Sequence, residues 1–178
     1  SHNFRLAMAP RADVPIYLAG LRPKMLELAG EIADGVILNL VPLELVPRML
    51  EHIDTGAKRA GRRVEDLEVV LFLYVFATPD EAIAEQEMVG IAAGYFSTPV
   101  YSHFLSWMGY DREAALILEG FKERDRNKTL GAFTPEVLHK LGVIGDDDAC
   151  RAAIRAYARA GIDVPVVAAA AADADLYQ

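Results

Sequence analysis

The residues best suited to chemistry in this sequence are Ala19-Gly20-Leu21-Arg22-Pro23-Lys24, which close a short apolar run and lead directly into a helix-like segment. A helix start offers unbonded amides and the positive end of the macrodipole, so it favours an anion. Arg22 and Lys24 add positive charge, and a guanidinium can hold a phosphate with two parallel hydrogen bonds. Gly20 would let the backbone come close to such a ligand. The competing reading is an ordinary turn carrying two solvated bases. Asn39, followed by Leu40-Val41-Pro42, occupies the equivalent place after the next apolar run. Its amide either hydrogen-bonds a ligand or caps the following helix.

Other polar residues carry less. His52 and His139 fall in helical stretches with no second ligand four residues on, so no metal site is expected. His103, beside Trp107, is a lesser candidate for a substrate pocket. Ser102 and Ser106 lack the G-x-S-x-G context of a hydrolase nucleophile. Asp146 to Asp148 lack the glycine and distal glutamate of a calcium loop and read as a helix cap. Cys150 lies on an apolar stripe as a packed thiol, and Thr78 reads as a cap. No catalytic acid/base pair is visible.

Four apolar runs must position these groups: Pro15–Ala19, Gly35–Asn39, Glu68–Ala77 and Val164–Ala168. Their continuous apolarity suits strands buried on both faces of a parallel sheet. Between them, Met25, Leu28, Ala29 and Ile32 make one helical stripe. Val46, Met49, Leu50, Ile53, Ala57 and Ala60 make a second, and Cys150, Ala153, Ile154, Tyr157 and Ala158 a third. Thr78-Pro79-Asp80-Glu81, Thr134-Pro135-Glu136 and Asp146 mark helix starts, while Gly61 and Gly161 mark stops. The region from about Asp80 to Lys140 exceeds a single crossover helix. It reads as a helical insertion broken at Gly94, Pro99, Gly109, Gly131 and Pro135. The alternation predicts an α/β fold with right-handed crossovers and one domain over residues 1–178. The tail around Asp173 to Asp175 is expected to fray.

Composition excludes some classes. A net charge of −8 with scattered bases argues against a nucleic-acid partner. No run approaches the ~20 apolar residues of a membrane span. A single cysteine suits a reducing cytoplasm.

Three stretches carry a family resemblance. Pro15 to Asn39, Phe76 to Glu81, and Val143 to Asp163 together resemble the luciferase-like monooxygenase superfamily. The nearest branch is the coenzyme F420-dependent one, which includes methylenetetrahydromethanopterin reductase. The resemblance implies strands 5 to 8 of a (β/α)8 TIM-type barrel, a fold that typically takes roughly 250 residues. It implies hydride transfer between reduced F420 and a small organic substrate. FMN with oxygen is the alternative, and a non-catalytic cofactor-binding or dimerising half-barrel is another. The cofactor phosphate would sit at Ala19, Gly20, Leu21, Arg22, Pro23 and Lys24, with Asn39 near the ring or substrate. Arg22 departs from the glycine usual near that position, which puts the individual phosphate contacts in doubt. Catalytic residues would lie in the absent half. The half-barrel would leave strands 5 and 8 as open edges, so a homo-oligomer or pairing with an N-terminal half is expected.

Overall fold

A computed structural model describes residues 13–169. The tail expected to fray, Asp173 to Asp175, lies outside them. In chain order the elements are β1 (Tyr17–Ala19), α1 (Pro23–Ile32), β2 (Gly35–Asn39), α2 (Val46–Arg59) and β3 (Glu68–Ala77). The insertion follows as α3 (Glu81–Phe96), α4 (Pro99–Trp107), α5 (Asp111–Glu123), α6 (Arg126–Gly131) and α7 (Pro135–Leu141). The chain closes with β4 (Val143–Gly145), α8 (Asp147–Arg159) and β5 (Val164–Ala169).

Every strand pairing is parallel. β3 organises the sheet, taking β2 along Glu68–Phe72 and β5 along Val70–Val75. The short β4, which sequence periodicity did not predict, joins β3 only at its exit, Val75–Ala77. Among the described residues β1 pairs only with β2 and β5 only with β3, so both lie at edges of the described sheet. The fold is a partial (β/α)8 barrel, as expected.

Two aspartates fix the register at the strand entrances. Asp34, just before β2, accepts from the Ile16 amide through its carboxylate at 2.8 Å, and its own amide donates to the Ile16 carbonyl at 2.9 Å. Asp163, just before β5, binds Val69 in the same two-way manner at 2.8 and 2.9 Å. A one-residue slip would break both pairs and turn each strand's apolar set over.

The expectation of strands buried on both faces needs correction. Val36 and Leu38 of β2, and Val69, Leu71 and Leu73 of β3, are buried, in line with helices covering one face. Ile37 and Asn39 are half-buried, and Phe72 is 39% exposed. On that second face of β3, Val70 and Phe76 are buried while Phe72 and Tyr74 between them are more open, where a closed barrel would have its interior.

α1 also differs from its expected stripe. Leu26, Ala29 and Gly30 are buried, whereas Met25, Leu28 and Ile32 are exposed. The buried set is shifted by one residue because α1 packs on α2 backbone to backbone. A Cβ on Gly30 would lie 2.0 Å from the Ile53 carbonyl, and one on Gly56 would lie 1.8 Å from that of Glu27. The stripe of α2 fits better: Val46, Met49, Ile53 and Ala57 are fully buried, although Ala60 is exposed.

Caps follow the sequence with one shift. Asp80, not Thr78, caps α3 by accepting from Ile83 N, while the Thr78 hydroxyl accepts from Asp80 N. Thr134 and Asp146 cap α7 and α8 as expected. Gly94 does not break the chain; it lies within α3. α5 ends instead at Arg124, in the left-handed conformation at φ 58°.

Candidate functional site

The strand exits gather on one side of the sheet, and there the residues singled out by the sequence meet. Ala19, Gly20, Leu21, Arg22 and Asn39 border one cavity of about 480 Å³. Arg22 also borders a second cavity of about 740 Å³, together with Pro23 and Lys24. The predicted turn thus borders two recesses at the mouth that share Arg22 and Met25. A larger cavity, about 1060 Å³, lies within the insertion around Gly90, Ala93 and Phe121 and includes no strand-exit residue. In parallel α/β folds the strand exits are where ligands bind, so the mouth outranks the larger hollow.

The turn is built by packing. Gly20 is buried, and its amide donates to the Ile37 carbonyl at 3.1 Å. A Cβ there would meet Leu26 Cδ2 at 3.2 Å, so the glycine makes room for α1 as well as for any ligand. Arg22 is the extended N-cap residue of α1, followed by Pro23 in the first turn. No side chain caps this helix, and Arg22 and Lys24 are exposed. An uncapped start flanked by two bases is chemically suited to an oxyanion.

The insertion completes the mouth. His103, Ser106 and Trp107 of α4 border the second cavity opposite Lys24. Trp107 is held under the Arg48 guanidinium, 4.0 Å from its ring centroid, and against His52 at 6.1 Å between ring centroids. In the first cavity Tyr74 of β3 and Tyr95 of α3 share a hydroxyl hydrogen bond of 3.0 Å. Tyr101 of α4 accepts a hydrogen bond from Asn39 Nδ2 at 3.0 Å. Asn39 Oδ1 is buried without a partner.

Asn39 ends β2, and the residue after it has an unusual backbone. Leu40 is buried in the left-handed conformation at φ 55°, which turns the chain sharply out of β2. Such strain in a bulky residue persists only where surrounding packing enforces it. Burial raises the hydroxyl pKa of Tyr101 and of Tyr74, the latter also through its bond to Tyr95. Both therefore stay protonated at neutral pH.

Sequence reasoning missed the tyrosines. Phe72 and Tyr74 share one face of β3, a signal hidden by the run's uniform apolarity. Tyr95 and Tyr101 come from the insertion, whose docking no local pattern announces. Histidine spacing likewise gave no hint that His139 lies 3.0 Å from Glu85, with Glu81 close by. That group is exposed or half-exposed and links α7 to α3.

The model of the luciferase-like monooxygenase family matches residues 2–164. A 5,10-methylenetetrahydromethanopterin reductase from Methanolobus tindarius is 29% identical over 144 residues, covering 80% of this chain and 44% of that protein. The structure of a coenzyme F420-dependent tetrahydromethanopterin reductase from Methanopyrus kandleri superposes with a TM-score of 0.69 at 26% identity, covering 89% of this chain and 46% of that one. An F420-dependent secondary alcohol dehydrogenase in complex with an F420-acetone adduct shares the fold, with a TM-score of 0.69 at 18% identity over 96% of this chain and 48% of that one. The chain spans about half the length of the relatives it matches. Over nearly all its length it belongs to the luciferase-like monooxygenase family.

Proposed function

We propose that this chain forms the phosphate-holding half of an F420-dependent oxidoreductase that passes a hydride between the cofactor and a small organic substrate. The observation that carries the reading is the uncapped start of α1 at the exit of β1, flanked by Arg22 and Lys24 and bordering both cavities. The names of its relatives support the choice of cofactor.

The site fits such a group. A phosphate would take the amides at the start of α1 and the Arg22 guanidinium, with Lys24 adding charge. The buried, unpartnered Asn39 Oδ1 leaves an acceptor for the ring or the substrate. When bound, the reduced deazaflavin supplies the hydride, and the protein supplies position and electrostatics. Tyr74 and Tyr101, held protonated, line the cavity and do not act as bases.

Fluorescence titration with F420 and with FMN tests the assignment. Arg22→Ala is expected to weaken F420 roughly tenfold, the scale of one charge-assisted hydrogen bond. Unchanged affinity would remove Arg22 from the site. Tight FMN binding without F420 binding would favour the second reading, a flavin-dependent monooxygenase, which the family's own description supports. Binding of neither would favour a third, a non-catalytic half-barrel, which the two open edges support.

A further inference from the structure

Besides Arg22, four polar side chains line the cavity at the mouth, Asn39, Tyr74, Tyr95 and Tyr101, and their hydrogen bonds leave some groups spare. Tyr74 and Tyr95 are bonded hydroxyl to hydroxyl at 3.0 Å, one donating and the other accepting. Asn39 gives an amide proton to Tyr101 at 3.0 Å, so the Tyr101 oxygen acts as acceptor in that bond. The hydroxyl proton of Tyr101 then has no acceptor among the described residues, and Asn39 Oδ1 is buried with no donor. A free donor and a free acceptor therefore stand side by side, joined by the bond between their owners. Leaving a buried carbonyl unpaired is unfavourable by about 1–3 kcal/mol, so the arrangement is poised to take a partner.

Chemistry narrows that partner. A carboxylate, a phosphate or a ketone brings only acceptors and would leave Oδ1 unmet or repelled. A partner must both donate and accept, and among flat groups an N–H beside a carbonyl, held cis in one plane, does so along one edge. The walls favour the same shape. Phe72, Tyr74, Tyr95 and Tyr101 all border the cavity, with the Tyr95 and Tyr101 rings 4.9 Å apart. Aromatic walls of this kind suit a flat ring.

We propose that Asn39 and Tyr101 form a two-pronged fork that receives the cis-amide edge of a planar heterocycle, the amide oxygen of Asn39 accepting the ring N–H and the Tyr101 hydroxyl donating to the ring carbonyl. This rests on the mouth being the ligand site. The edge belongs either to the cofactor's own pyrimidinedione or to a heterocyclic substrate, and both present the same chemistry to the fork.

The test uses a ring without a phosphate, so that the turn at Arg22 plays no part. The chain is titrated with 5-deazariboflavin and with its N3-methyl derivative, following ligand fluorescence. Methylation removes the donor and is expected to weaken binding about tenfold or more. Asn39→Leu should abolish that discrimination, and Tyr101→Phe should weaken the unmethylated ring several-fold while leaving the discrimination in place. Equal binding of the two rings by the unaltered chain, or binding of neither, overturns the fork. The ligand comparison needs no variant to fold. Repeating the titration with saturating F420 identifies the source: displacement places the cofactor's ring in the fork, and simultaneous binding places a substrate there. If Arg22→Ala weakens F420 but methylation has no effect, the phosphate turn stands and the fork falls. The reverse pattern does the opposite.

Discussion

Leu40, directly after Asn39, combines a strained backbone with a buried side chain. Its left-handed backbone, at φ 55°, is unfavourable for a branched side chain by roughly 1–2 kcal/mol. Its side chain, 1% exposed, secures the turn by burial. Leu40→Ala removes the burial and keeps the backbone strain, so a loss of about 2–5 kcal/mol is expected in urea unfolding. Leu40→Gly loses the same contacts but relieves the strain, and should be the more stable of the two variants. The opposite ranking would show that the turn is not strained. The tyrosines give a second expectation. Tyr74 and Tyr101 have raised pKa values, chiefly from burial, so folding is favoured below the ordinary phenol range. As pH climbs past about 10 the unfolded phenols ionise first and stability falls. Denaturant midpoints measured from pH 8 to 11 should drop less in a Tyr74→Phe, Tyr101→Phe double variant than in the parent.

Among the elements, the α1–α2 pair has the least tolerance. Gly56 sits where a Cβ would overlap the Glu27 carbonyl, with both groups in helix backbones that cannot yield locally. Gly56→Ala should therefore destabilise by about 3 kcal/mol or more, despite alanine's better helix propensity. Chemical denaturation measures it, and a neutral result would mean that the helices slide apart freely. This contact also explains what was legible in the sequence. The β2 and β3 boundaries, the Thr134 and Asp146 caps and the anion-suited turn all rest on local rules, and all were readable. The rotation of α1 was not, because periodicity admits Met25-Leu28-Ile32 and Leu26-Ala29-Ala33 equally, and only the approach of Gly30 and Gly56 decides between them. The aromatic cavity was hidden for a similar reason: Tyr95 and Tyr101 reach it through the tertiary docking of α3 and α4. Asn39 and Arg22 were readable as candidates because one ends a strand run and the other opens the turn just beyond one.

For the molecule as a whole, the sides of β1 and β5 that pair with no described strand dominate. Exposed Ile16, Met25, Leu28 and Ile32 lie at or near the β1 edge, and Val167 and Phe72 lie at the other edge and on the open face. Apolar groups gathered beside unpaired strand edges favour association. The chain alone is expected to run as a dimer or larger species in light scattering, and a monodisperse monomer would count against a barrel completed by another half. Among the described residues no helix is long and apolar enough to cross a membrane.

The grip of Asp163 on Val69 carries a kinetic meaning. It joins residues 94 positions apart, with the whole helical insertion between them. Closing so long a segment costs chain entropy before any pairing is gained, and parallel strands joined at such a distance form slowly. β1, α1, β2, α2 and β3 can assemble from neighbouring segments, whereas β5 must wait for the insertion to collapse. The last strand to dock is then also an open edge, so the slowest step of folding leaves one side of β3 exposed for longest.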